Sequence, residues 1–217
     1  MKIVIQCAGR KNQTAPNTGF RAAGERLVKF VSRPDIAPPC TDYLYVRPDD
    51  LVDGIQSWRD RLVEYNKRPE NALGLLPAYQ LYRPAAYANL VEAFGKEKVF
   101  ILSAGWGLIS ADFLIPDYDI TFNKNVQPHA YRDKYDKYAD FCMLPDDSED
   151  IVFLGGSAYR PLFFQLTSPL KAKKIVFTKS SNHVGPVPGY AFQRFETKQN
   201  TNWHYSCAQA LIDGKID

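Results

Sequence analysis

Lys98-Val-Phe-Ile-Leu-Ser-Ala-Gly-Trp-Gly-Leu-Ile-Ser-Ala-Asp-Phe-Leu-Ile-Pro-Asp-Tyr-Asp119 is the stretch that decides the fold. Residues 99–102 form an apolar run of the length of a buried strand. The run breaks into Ser103-Ala104-Gly105-Trp106-Gly107, where small residues let the backbone turn sharply and let other groups approach it. Pro116-Asp117-Tyr118-Asp119 then sets two carboxylates around a phenol. A buried strand that ends in a small-residue loop is where open α/β sheets place their ligands.

The same pattern repeats on both sides. Residues 1–7 read as a first strand and run into Ala8-Gly9-Arg10-Lys11, a basic turn suited to a phosphate or carboxylate, or equally to plain solvation. Residues 151–154 are fully apolar and end in Gly155-Gly156-Ser157-Ala158-Tyr159-Arg160; residues 175–177 end in Thr178-Lys179-Ser180-Ser181-Asn182-His183. Between these runs, helical spacing predicts helices over 20–31, 51–65, 85–94, 162–166 and 206–212, and residues 43–46 read as a strand. Pro48-Asp49-Asp50 reads as the start of the second helix, and Trp58 falls on its core face. This alternation predicts one α/β domain over 1–217. Its central sheet is mostly parallel, with helices on both faces in three layers, and a helical insertion spans about 20–72.

Bulk properties narrow the function. The chain has 217 residues and a formal charge of +3, which permits a nucleic-acid partner without arguing for one. Thirteen Tyr and thirteen Phe exceed the needs of a small core and make stacking surfaces available. Four cysteines without a C-x-x-C pair suggest reduced thiols, and no leader or bilayer-length apolar run is visible, so a cytoplasmic protein is expected. Three scattered histidines argue against a metal centre, and neither G-x-x-x-x-G-K nor G-x-G-x-x-G occurs, so no cofactor is expected. Residues 129–138 alternate phenols with cations. They read as an amphipathic helix with Tyr131, Tyr135 and Tyr138 on one face, which either packs on the core or walls a nucleic-acid cleft.

Four strand ends thus point at one place, with Lys11, Asp117, Tyr118, Asp119, Tyr159, Arg160 and His183 as its ionisable groups. A carboxylate in a shaped polar pocket suits hydrolysis of an N-glycosidic bond, where it steadies an oxocarbenium-like sugar or activates water.

Cys7-Ala-Gly-Arg-Lys11, Ala78-Tyr-Gln-Leu-Tyr82, residues 101–108 (Ile-Leu-Ser-Ala-Gly-Trp-Gly-Leu) and Ile115-Pro-Asp-Tyr-Asp119 resemble the ordered motifs of the YaaA-like superfamily. The nearest pattern is that of a small branch found in bacterial and phage genomes. Trp106 stands where that branch has Tyr, Gln80 where Asp is common, and the insertion separates the first two motifs. The resemblance implies a three-layer α/β core with a positively charged cleft made by Cys7, Lys11, Ser103, Gly105, Gly107, Tyr118, Asp119, Ser157 and Tyr159. It also implies relatives that bind DNA under peroxide stress, base-exchange enzymes of tRNA modification such as archaeosine synthase, and uracil-glycosylase-like folds.

The expectation is a DNA N-glycosylase acting on duplex DNA that carries modified bases, in an anti-phage setting. Asp119 is the carboxylate and Asp117 the second candidate. Tyr118 or Trp106 stacks on a flipped base, the Gly105 and Gly107 backbone approaches the sugar-phosphate, and Arg10, Lys11 and Arg160 hold phosphates. The rivals are a non-catalytic DNA-binding stress protein, a hydrolase of free nucleosides or nucleotides, and a lyase using Lys11 as Schiff-base nucleophile.

Overall fold

The computed structural model describes residues 1–12, 14–15, 18–22, 25–179 and 186–216. In chain order the elements are β1 (Lys2–Gln6), β2 (Leu27–Val31), β3 (Tyr43–Val46), α1 (Trp58–Asn66), β4 (Leu76–Pro77), α2 (Ala78–Leu81), α3 (Ala86–Phe94), β5 (Val99–Ser103), β6 (Gly107–Ser110), β7 (Leu114–Ile115), β8 (Tyr118–Asp119), β9 (Phe141–Cys142), β10 (Ile151–Leu154), α4 (Arg160–Thr167), β11 (Lys174–Thr178), β12 (Tyr190–Arg194) and α5 (Trp203–Ile212).

The chain is of the α/β class, with a seven-stranded sheet in the order β12-β11-β10-β1-β5-β6-β9. Neighbours from β12 through β5 pair in parallel, β6 runs antiparallel to β5, and β9 pairs parallel to β6. The residues of β5, β10 and β11 are all buried. Strands covered on both faces carry unbroken apolar runs, which is why these were readable from sequence. The four strands whose ends were expected to converge, β11, β10, β1 and β5, are consecutive neighbours, so their carboxyl ends share one edge of the sheet. From β1 the chain next joins this parallel set at β5, on one side; from β10 it passes through α4 to β11, on the other. The topological switch point therefore lies between β1 and β10, where doubly wound sheets open a crevice. On the packing side, α3 lies against α5, α3 touches β5, and α5 touches β10.

The region 20–72 departs from expectation. It is not mainly helical: it contains β2, β3 and one short 3-10 turn before α1. Leu27-Val-Lys-Phe-Val31 is a strand although its apolar spacing also fits a helix. Glu25 at φ 62 breaks any helix before it, and parallel partners on both flanks, β3 and β8, claim its backbone. The helix expected from residue 51 starts at Trp58. The Ser57 hydroxyl accepts from the Asp60 amide, and the Asp60 carboxylate accepts from the Ser57 amide, a capping box that sets the first turn. Trp58 is buried in the core, as its spacing predicts. The small sheet β3-β2-β8 has a functional consequence, because its pairs Phe30↔Tyr118 and Val31↔Asp119 hold the Pro-Asp-Tyr-Asp turn in place.

Residues 129–138 form no helix. Their backbone pairs instead with the turn after β8: the Thr121 amide donates to the Ala130 carbonyl and the Arg132 amide to the Thr121 carbonyl, both at 2.9 Å. Among the described residues no helix is long and apolar enough to cross a membrane.

Candidate functional site

A cleft of about 560 Å3 opens at the switch point, with Cys7 and Lys11 after β1, Asp119 at the end of β8, and Tyr159 after β10 along its walls. Its size is that of a pocket for one small ligand. Asn123 and Lys124 come from the turn after β8, while Asn202 and Tyr205 come from the start of α5. Two sheets converge here. The Cys7 sulfur and the Tyr159 hydroxyl lie 3.2 Å apart, bridging β1 to the turn after β10. The Gly156 amide donates to Gln6 Oε1 at 2.6 Å and closes the same seam.

Asp119 is half-buried and lines the cleft. Among the described residues no hydrogen bond or ion pair engages its carboxylate. Asp117 does not share this place. Its side chain is exposed, lies 3.6 Å from Lys11 Nζ and accepts from the Tyr118 amide at 2.9 Å, so of the two expected carboxylates only Asp119 reaches the cleft. Lys11 is held three ways: it donates to the Tyr118 carbonyl, lies near Asp117, and sits 4.1 Å from the centre of the Tyr118 ring.

Beneath the cleft is a buried polar core. The Gly105 and Trp106 amides donate to Ser103 Oγ at 3.2 and 3.1 Å, and the Ser103 hydroxyl donates to Tyr118 at 2.9 Å. With that lone pair taken, the Tyr118 proton is free to reach Tyr82, 2.8 Å away. Burial, and then the nearby Cys7 sulfur, raise Tyr118, Tyr82 and Tyr159 well above the ordinary phenol value, so all three are neutral at physiological pH. The carbonyls of the same loop are also taken. Arg59 donates to Gly105 O at 3.0 Å and Trp106 O at 2.9 Å, and Arg132 donates to Ala104 O at 2.7 Å. Both guanidiniums are buried and balanced by carboxylates, Arg59 by Asp49 at 2.6 Å and Arg132 by Asp140 at 2.6 Å.

Several assignments change accordingly. Tyr118 and Trp106 are 2% and 0% exposed, and Lys11 covers the Tyr118 ring, so neither presents a face to a base. Gly105 is small because a Cβ there would lie 3.0 Å from the Tyr118 ring, and Gly107, at φ +87, because one would lie 2.6 Å from the Phe141 backbone. Protein contacts, not a sugar-phosphate, require these glycines. Ser103 is wholly buried and acts from below. Arg10 and Ser157 are exposed and do not line the cleft. Arg160 is also off the cleft, with a buried Nε that has no partner among the described residues. Its guanidinium value is lowered by burial. Arg132, a cation of the 129–138 segment that the nucleic-acid reading would give to phosphates, is a buried clamp on the central loop. Tyr138 is buried with its hydroxyl 3.0 Å from Ser32 Oγ, and Tyr135 is exposed. His183 lies outside the described residues.

Sequence reasoning missed Asn123, Lys124, Asn202, Tyr205 and the Arg59 clamp. One local signal existed: a polar Asn-Lys-Asn run follows the strand that ends in Asp119. Compared with family models, curated proteins and solved structures, the chain matches none.

Proposed function

We propose that the chain hydrolyses the N-glycosidic bond of a nucleobase, with DNA as the source of the base and Asp119 as the reacting carboxylate. The observation that carries this reading is the Asp119 carboxylate, unengaged among the described residues, at a switch-point cleft sized for one nucleoside unit. In the reaction water adds to C1′ as the bond from C1′ to the base nitrogen breaks. Asp119 steadies the positive charge on the sugar and takes the proton of the attacking water, and that proton then passes through solvent to the departing base, which regenerates the carboxylate. Asn123, Asn202 and Tyr205 bring amide and hydroxyl groups to the same cleft and supply hydrogen bonds to the base. Lys11 and Lys124 supply positive charge for a phosphate.

The test is base release. The protein is incubated with DNA from phages of differing base chemistry, and freed bases are read by mass spectrometry. Release lost in Asp119→Asn supports the reading. Salt-sensitive DNA binding that survives this substitution, with no base released by either protein, favours the DNA-binding stress protein. One observation favours a hydrolase of free nucleosides or nucleotides: residues 129–138 do not line the cleft and Tyr138 is buried. That reading expects release from monomers and no duplex affinity.

A further inference from the structure

The region 20–72 carries a second surface that the cleft chemistry does not use. Residues 51–57 form a tight turn closed by the Leu51↔Ser57 bridge and by the Val52 amide donating to Gln56 O at 2.8 Å. Asp53 Oδ1 accepts from the Ile55 and Gln56 amides at 3.1 and 2.9 Å, and Gly54 takes φ +79. This well-bonded turn holds two aliphatic side chains in water, Ile55 at 85% and Leu51 at 58% exposure. Burying them would recover roughly 1.5–3 kcal/mol each, so a rigid turn that displays them marks a contact surface. Beside the turn runs a groove of about 600 Å3 lined by Arg21, Arg61 and Arg68 together with Phe20 and Tyr65. The turn and the groove are joined, since Gln56 lines the groove and Arg61 pairs with Asp53 at 3.3 Å. The one carboxylate in the lining, Glu64, is held by Lys67 at 2.6 Å, and among the described residues Arg21 and Arg68 have no ion pair.

We propose that this face docks duplex DNA: the three arginines take backbone phosphates and the Leu51/Ile55 tip enters a groove. Guanidiniums match phosphates; Arg21 is held by the Glu25 carbonyl at 2.5 Å and Arg61 by Asp53 in an exposed pair, contacts a phosphate can replace, and aliphatic tips beside basic side chains are a recurring way to hold a duplex. The proposal deepens the reading above by naming the surface that would hold the polymer while the cleft holds one base. It is tested by fluorescence anisotropy of a labelled duplex, titrated with salt, using wild type, the triple variant R21A/R61A/R68A and Ile55→Ser. All four positions are on or near the surface, and thermal melts check that each variant folds. Wild type binds saturably at low salt. The triple variant loses about 2.7 from the slope of log affinity against log salt, because each phosphate contact contributes about 0.9. Ile55→Ser weakens binding with its slope unchanged. Absence of saturable duplex binding by wild type, an unaltered slope in the triple variant, or binding of an acidic peptide with the duplex ignored would each overturn the proposal. Base release from modified DNA and from free nucleosides is measured on the same proteins. Arginine-dependent duplex binding without any base release would leave the docking face standing and remove the glycosidase reading; base release from DNA that is unchanged in the triple variant would do the reverse, and release from nucleosides alone without duplex binding would remove the docking face and favour the free-nucleoside hydrolase.

Discussion

Residues 103–107 and 119–124 each follow a strand, lie near the same edge of the molecule and are rich in small or polar residues, yet they are built for opposite ends. In the first, Ser103 Oγ takes two amides, and Arg59 and Arg132 take three successive carbonyls. In the second, Asp119, Asn123 and Lys124 face a cleft, and no hydrogen bond or ion pair engages the Asp119 carboxylate among the described residues. The more conspicuous loop in the sequence is the support, and the less conspicuous turn beside it lines the cleft. A loop whose carbonyls at 104–106 and amides at 105 and 106 have protein partners has none of these to offer a substrate, and its rigidity is what fixes its neighbour.

The contrast can be broken from the closed side first. Arg132→Ala leaves Asp140 as a buried charge without its partner and should cost about 3–5 kcal/mol. Denaturant melts check this, and a loss under 1 kcal/mol by the same scale would mean the clamp is not needed. Next in size is the acid limb set by α5, which turns Tyr205 to the cleft and His204 into the core. Burial pushes His204 down to about 4, and its Nε2 is buried without a partner among the described residues. Because the folded value lies below the ordinary one of about 6.5, the neutral ring's contribution is whole above that pH and is lost as pH falls through about 4. Stability should decline over this window by about 3 kcal/mol, and His204→Phe should flatten that decline. Tyr118→Phe is smaller. It strands the Ser103 proton and one contact of Tyr82, for about 1–3 kcal/mol, with the fold retained. Smallest is Asp119→Asn, expected to change stability by no more than about 0.5 kcal/mol, since the carboxylate holds nothing in place.

How much of this was legible follows from the reach of each interaction. The strands β1, β5, β10 and β11 were readable because burial on both faces writes an unbroken apolar run into a few consecutive residues. Their shared edge followed from the repeated strand-then-turn pattern, and Asp119 was readable as the acid at its end. The closure of the central loop was not. Arg59 is 46 residues from Gly105 and Arg132 is 28 from Ala104, and nothing local distinguishes these arginines from solvated ones. Residues 27–31 misled for a different reason: their apolar spacing fits either period, and only the parallel partners β3 and β8 decide it. Asn202 was silent because nothing local marks its left-handed backbone, φ 57, just ahead of α5, as part of a cleft wall.

The most direct test is base release by wild type and Asp119→Asn, side by side, on the same modified DNA and on free nucleosides, with melting curves matched. The account predicts that wild type frees a base, that Asp119→Asn does not, and that the two unfold alike. Equal release by both proteins would contradict it, since the reacting group would then lie elsewhere.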